Sequence, residues 1–131
     1  MRKTIAALLF VAGAFNLYSV IGVFGPDYLS TLYGVRIKDS NLLILMRHRA
    51  LLFGLLGGLL IIAAFRPSLQ LAAIGAGLAS MLGIIALALN SGDYNPLLHR
   101  IVVVDSILSL GLLLAFALCV LQPASHKLPN Q

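Results

Sequence analysis

Six ionisable side chains sit in or beside long apolar runs: Arg47, His48 and Arg49 in one, and His99, Arg100 and Asp105 in another. Ionisable groups at membrane depth are expensive to insert, so they pair, face a polar cavity or mark a functional path. Asp105 carries the sharpest chemistry. It lies nine residues past Pro96, or about 13 Å along a helix. A carboxylate at that depth either takes up a proton or finds a cation. Arg100 comes five residues earlier and faces nearly the opposite side of the helix, so the better partner is Arg47 or Arg49. A guanidinium matches a carboxylate with two parallel hydrogen bonds. These two arginines lie about 200° apart around a helix, so one points inward and the other snorkels toward phosphates. Arg47 shares its face with the small residues Ala50, Gly54 and Gly58. Asn16, in a further apolar run, completes the set of polar groups near one end of the spans. Two readings stand for the cluster: an interhelix ion pair that fixes register, or a polar site that holds a head group or relays a proton.

Other chemistries are poorly served. His48, His99 and Asp105 do not form a metal-binding set: no HxxxH pair exists, and Asp105 points about 120° away from His99, which shares its face with Ser106. No metal and no cofactor is expected. The single cysteine, Cys119, excludes an internal disulfide framework and a CxxC pair. Phosphate-loop, catalytic-triad and zinc-spacing motifs are missing, which leaves enzymatic activity without a supporting motif.

The elements that must position the cluster are transmembrane helices. Of 131 residues, 60% are hydrophobic and 10% charged, against about 25% charged in soluble domains; the mean hydropathy is +1.02. The net charge of +5 comes from bases that flank apolar runs, which points to membrane topology and not to nucleic acid. Residues 4–26, 50–65, 67–92 and 106–126 contain no Asp, Glu, Lys or Arg. A bilayer core of roughly 30 Å needs about 20 helical residues. The predicted fold class is therefore all-α: a four-helix bundle spanning about 4–24, 41–65, 68–90 and 96–121. Residues 1–121 form one domain, and 122–131 form a polar, frayed tail. Gly25-Pro26 ends the first span. Asp39, Ser40 or Asn41 caps the second, Arg66-Pro67 turns into the third, and Asn95-Pro96 starts the fourth. In the one long loop, Pro26 to Tyr33 reads as a short interfacial helix closed by Gly34, with its aromatics in the headgroup zone.

Both termini share a side with the 66–67 turn. That side carries Arg2, Lys3, Arg66 and Lys127 without an acid, whereas the other carries Arg36 and Lys38 against Asp27, Asp39 and Asp93. The positive-inside rule then places both termini in the cytoplasm. Apolarity continues past Ala12-Gly13-Ala14 to Phe24, which favours a retained span over a cleaved leader. Small residues recur every four positions: Gly54 and Gly58; Ala72, Ala76 and Ser80; Gly111, Ala115 and Cys119. Such stripes let helices approach closely in lipid, inside one bundle or across a homodimer.

Leu32-Tyr-Gly-Val35, Leu45-Met-Arg-His-Arg-Ala50-Leu-Leu-Phe-Gly54, Asp93-Tyr-Asn95 and Arg100-Ile-Val-Val-Val-Asp105 resemble small bacterial four-helix membrane proteins of the DoxX-like and DUF4345-like type. The resemblance extends to about residue 121 and is most specific over 46–54. It implies a bacterial inner-membrane location but no established activity. Some relatives carry the label phosphopantetheine adenylyltransferase, a soluble α/β enzyme with an HxGH-type motif. His48-Arg-Ala-Leu and His99-Arg-Ile-Val do not match it, and the label is rejected. DoxX-like relatives are linked to quinone or sulfur redox complexes, which is analogy of fold and does not fix function. The expectation is a binding module that holds a lipid, quinone or similar amphiphile between Asn16, an arginine of the 47–49 segment and Asp105. The alternative is a structural or accessory subunit of a homodimer or larger membrane complex. A proton-coupled transporter or membrane enzyme comes third, because no span is broken by an internal proline.

Overall fold

The structure, a computed structural model, describes residues 1–121; the predicted polar tail over 122–131 lies outside the described residues. The elements in chain order are α1 (Arg2–Tyr18) continuing as a 3-10 segment (Ser19–Phe24), α2 (Pro26–Tyr33), α3 (Ser40–Phe65), a 3-10 turn (Pro67–Leu69), α4 (Gln70–Ser91) and α5 (Pro96–Leu121). Four spans are long and apolar enough to cross a membrane: Arg2–Phe24, Ser40–Phe65, Pro67–Ser91 and Pro96–Leu121. The outward faces agree with that setting. Leu55 and Leu110 are 64% and 68% exposed, which suits hydrocarbon and not water. The protein is an all-α membrane protein built as a four-helix bundle, in which α1 packs on α3 and α5, and α4 packs on α5 and α3.

Local chemistry sets the boundaries. The Asp39 side chain accepts a hydrogen bond from the Leu42 amide at 2.9 Å and caps α3. Asn95 Oδ1 accepts from the Leu98 amide at 2.8 Å and caps α5, with Pro96 as its first helical residue. Gly34 closes α2 in the left-handed conformation, φ 67°, where a side chain would be strained. The first span differs from the uniform helix expected over 4–24, because its last six residues tighten into a 3-10 helix. End carbonyls of a helix need outside donors. Arg47 Nε supplies one, donating to the Val23 carbonyl at 2.7 Å.

Tight packing is concentrated in the half of the bundle that holds the start of α1, the α3–α4 turn and the end of α5. There Ile5, Leu9, Leu60, Ala63, Ile74, Leu112 and Ala115 form a buried cluster. The closest crossing joins α1 and α3 at Gly13 and Gly57. A Cβ on Gly57 would stand 2.7 Å from both the Gly13 carbonyl and the Leu17 amide, so only glycine permits this approach.

The small-residue stripes sort differently from their spacing. Gly54 meets Val20, but nothing lies within 4 Å of a Cβ added at Gly58. The tight α3 face therefore runs through Gly54 and Gly57. On α4, Ala72 and Ala76 are exposed and Ser80 half-buried; Ala73 and Gly77, one position on, are the buried small residues, with Gly77 against Leu112. On α5, Gly111 faces Leu8 and Ala115 is fully buried. Cys119 is half-buried and reaches the Gln70 side-chain oxygen at 3.5 Å.

Candidate functional site

The other half of the bundle is hollow. A cavity of about 260 Å³ opens between α1, α3, α4 and α5, with Thr31, Leu32 and Tyr33 of α2 in its wall. Its placement follows from local structure. The Gly25 break turns the chain back so that α2 lies against the end of the first span, where Leu29 is buried beside Gly22 and Ala50. Asn95 Nδ2 then donates to the Tyr33 carbonyl at 2.9 Å and ties α2 to the start of α5. One asparagine thus caps α5 with its oxygen and anchors α2 with its nitrogen.

Four of the seven residues expected in a polar cluster line this cavity: Asn16, Arg49, Arg100 and Asp105. Asn16 is 7% exposed, and its Nδ2 donates to the Ala12 carbonyl at 2.9 Å. That bond uses one amide hydrogen and leaves a second donor and the carbonyl acceptor as its polar groups at the cavity wall. Arg49 is the inward arginine. Its guanidinium lies 5.1 Å from the Tyr33 ring centre and 4.8 Å from that of Phe53. Cation–π contacts of this kind contribute roughly 0.5–2 kcal/mol each, and they hold the guanidinium at the wall with its N–H fork available. Its charge acts on the Asp105 carboxylate in the same cavity. Arg100 is exposed at the rim.

The remaining three lie elsewhere. Arg47 is exposed and bound to Val23, as the cap of the first span. His48 is exposed. His99 is exposed and stacks on Tyr94 with ring centres 6.0 Å apart. Among the described residues, no three His, Cys, Asp or Glu side chains gather as a metal set.

The sequence reading did not place Tyr33 in the site. It is 6% exposed, lines the cavity and stacks under Arg49. Burial raises the Tyr33 phenol above its usual 10.0, Arg49 lowers it, Asp105 raises it, and the adjacent Ser19 side chain lowers it. The net rise keeps Tyr33 a neutral donor through the physiological range. Its position one residue before Gly34 was the available signal, because the last turn of a short helix folded over a bundle must bury one face. Ser109, one turn from Asp105 on α5, is not part of the cavity lining; it is 3% exposed, and its Oγ has no hydrogen-bond partner.

The site thus combines a fixed cation, a carboxylate, an amide and a phenol with apolar walls from Phe15, Met81, Leu97 and Val104. It can donate and accept hydrogen bonds across a small space to whose wall α2 adds Thr31, Leu32 and Tyr33. No protein-family model, no curated protein and no solved structure matches this chain.

Proposed function

We propose that this membrane protein binds an amphiphile, with the polar head held in the cavity between Arg49 and Asp105. The observation that carries the reading is the convergence of Asn16, Tyr33, Arg49 and Asp105 on one apolar-walled cavity. Converging polar groups in an apolar pocket are the usual form of a small-molecule site. Arg49 suits an acceptor-rich or anionic group, and Asp105 suits a donor or an ammonium. A lipid head or a quinol offers both kinds of group. The proposal includes the orientation expected from loop charge, with both termini cytoplasmic, so that the cavity opens toward the outer leaflet of a bacterial inner membrane. It also includes kinship with the DoxX-like proteins.

Native mass spectrometry in mild detergent, with the released molecules identified, tests the binding. The expected result is a stoichiometric amphiphile on the wild type that is lost from Asp105→Asn. Retention unchanged in that variant overturns the reading.

A second reading, an oligomer or accessory subunit, is favoured by a separate feature. The exposed face of α4 presents Ala72, Gly75 and Ala76, with open space around Gly75. Small faces of this kind support close helix association in lipid. Mass measurement in the same experiment reads the oligomeric state directly.

A further inference from the structure

A second hollow adjoins the cavity. It lies between α3 and α4, has a volume of about 360 Å³, and shares Arg49, Phe53 and Ser80 with the cavity wall. Beyond those three residues its lining is Leu52, Leu56, Gly83, Ile84 and Leu87. These carry no polar side chain, and Leu52 and Leu87 are exposed on the outer surface of the bundle. Gly83 lines the groove, and a Cβ added there meets nothing within 4 Å. Polarity therefore changes across the residues that the two hollows share, from Asp105 and Asn16 in the cavity, past Arg49 and Ser80 on the common wall, to an apolar groove bordered by the exposed Leu52 and Leu87.

We infer that the α3–α4 groove holds the hydrocarbon chain of the bound amphiphile, and that the ligand reaches the cavity sideways from the membrane, with Arg49 at the junction of head and chain. This rests on the binding reading above and adds the route, the chain's seat and the kind of ligand. Volume supports a joint site. Small-molecule pockets run roughly 300–1,000 Å³; the cavity alone falls below that range, and cavity and groove joined fall within it. Charge supports the order of head and chain. A chain in the cavity would displace water from Arg49 and Asp105 without replacing their hydrogen bonds, whereas a chain in the groove meets only apolar walls. A lateral route also leaves in place the Asn95–Tyr33 bond that ties α2 to α5 beside the cavity.

The test uses the full-length protein in vesicles containing a palmitoyl-chain lysophosphatidylethanolamine with a diazirine at the chain tip. After irradiation, the labelled peptides are mapped in wild type, Gly83→Phe and Gly58→Phe. Gly83→Phe places a bulky side chain on a groove-lining residue where an added Cβ has open space, and Gly58→Phe makes the same change where a Cβ also has open space but outside the groove lining. The expected result is labelling concentrated on Leu52, Leu56, Ile84 and Leu87, reduced about tenfold by Gly83→Phe and unchanged by Gly58→Phe. Labelling spread evenly over the lipid-facing residues of α1 and α5 overturns the inference, as does labelling that Gly83→Phe leaves intact. The two levels fail differently. If native mass spectrometry finds wild type and Asp105→Asn equally loaded or equally empty, the binding reading falls. If that difference is present and Gly83→Phe retains the ligand, only the route and the chain's seat fall.

Discussion

Two halves of the same bundle treat small residues in opposite ways. Where Gly13 crosses Gly57, the missing side chains bring two backbones together, and the space is closed by main-chain atoms. At Gly83 the missing side chain leaves open space, and the residue lines a groove. The first half is filled by Leu9, Leu60, Ile74 and Leu112. The second holds Asn16, Arg49 and Asp105 around open space. In lipid there is little hydrophobic drive between helices, so stability comes from packing contacts. The filled half is thus positioned to supply most of the stability and the hollow half the binding.

The largest effect that tests this contrast is at the crossing. Gly57→Ala puts a methyl group against backbone atoms that cannot move aside, and we expect a loss of about 1–3 kcal/mol in reversible unfolding in detergent. Gly58→Ala, one residue away, should change stability by about 0.5 kcal/mol or less. Equal losses at the two positions would break the packing account. Next comes α2. Asn95→Ala removes the α5 cap and the bond to Tyr33 together, at a combined cost of about 1–2 kcal/mol. Hydrogen exchange should then rise in α2 far more than in the cluster around Leu60.

A smaller effect concerns pH. The folded pKa of Tyr33 lies above its usual 10.0, so the native state favours the protonated phenol. Its contribution is complete below pH 10 and is lost as pH rises through the higher folded value. Tyr33→Phe should therefore flatten the alkaline fall in melting temperature and leave the profile at neutral pH unchanged in shape. Smallest of all is Ser109→Ala. It removes a buried hydroxyl without a partner and should be neutral or stabilising by about 1 kcal/mol or less. A clear destabilisation would show that Ser109 makes a contact in the membrane.

Local signals in the sequence were enough to find the spans, the break at Gly25, the cap at Asn95, a cap for α3 among Asp39, Ser40 and Asn41, and α2 closed by Gly34. Each depends on residues within a few positions of one another, where propensity and capping decide. The site was legible only in part. Asn16, Arg49, Arg100 and Asp105 meet at the cavity, but spacing could not decide between Arg47 and Arg49. That choice is made by contacts distant in sequence, Val23 for Arg47 and Tyr33 for Arg49. Helical phase explains the small-residue stripes. Their four-residue repeat marks a face without saying which neighbour it meets, so Ala72 and Ala76 point outward while Ala73 and Gly77 are buried. Tyr33 carried no charge signal and became visible only when α2 folded over the bundle.

The central claim is that Arg49 and Asp105 line one cavity to hold a ligand and not to fix the fold. A purely structural pair tolerates joint apolar replacement far better than loss of one partner, so stability alone does not separate the two roles. Amphiphile retention by the purified Arg49→Leu/Asp105→Leu double variant, measured by native mass spectrometry beside its melting temperature, does. The account predicts a variant that still folds, melts below wild type by no more than the lost Arg49 contacts with Tyr33 and Phe53 account for, and emerges empty while wild type emerges loaded. A double variant that retains the amphiphile as wild type does would contradict it.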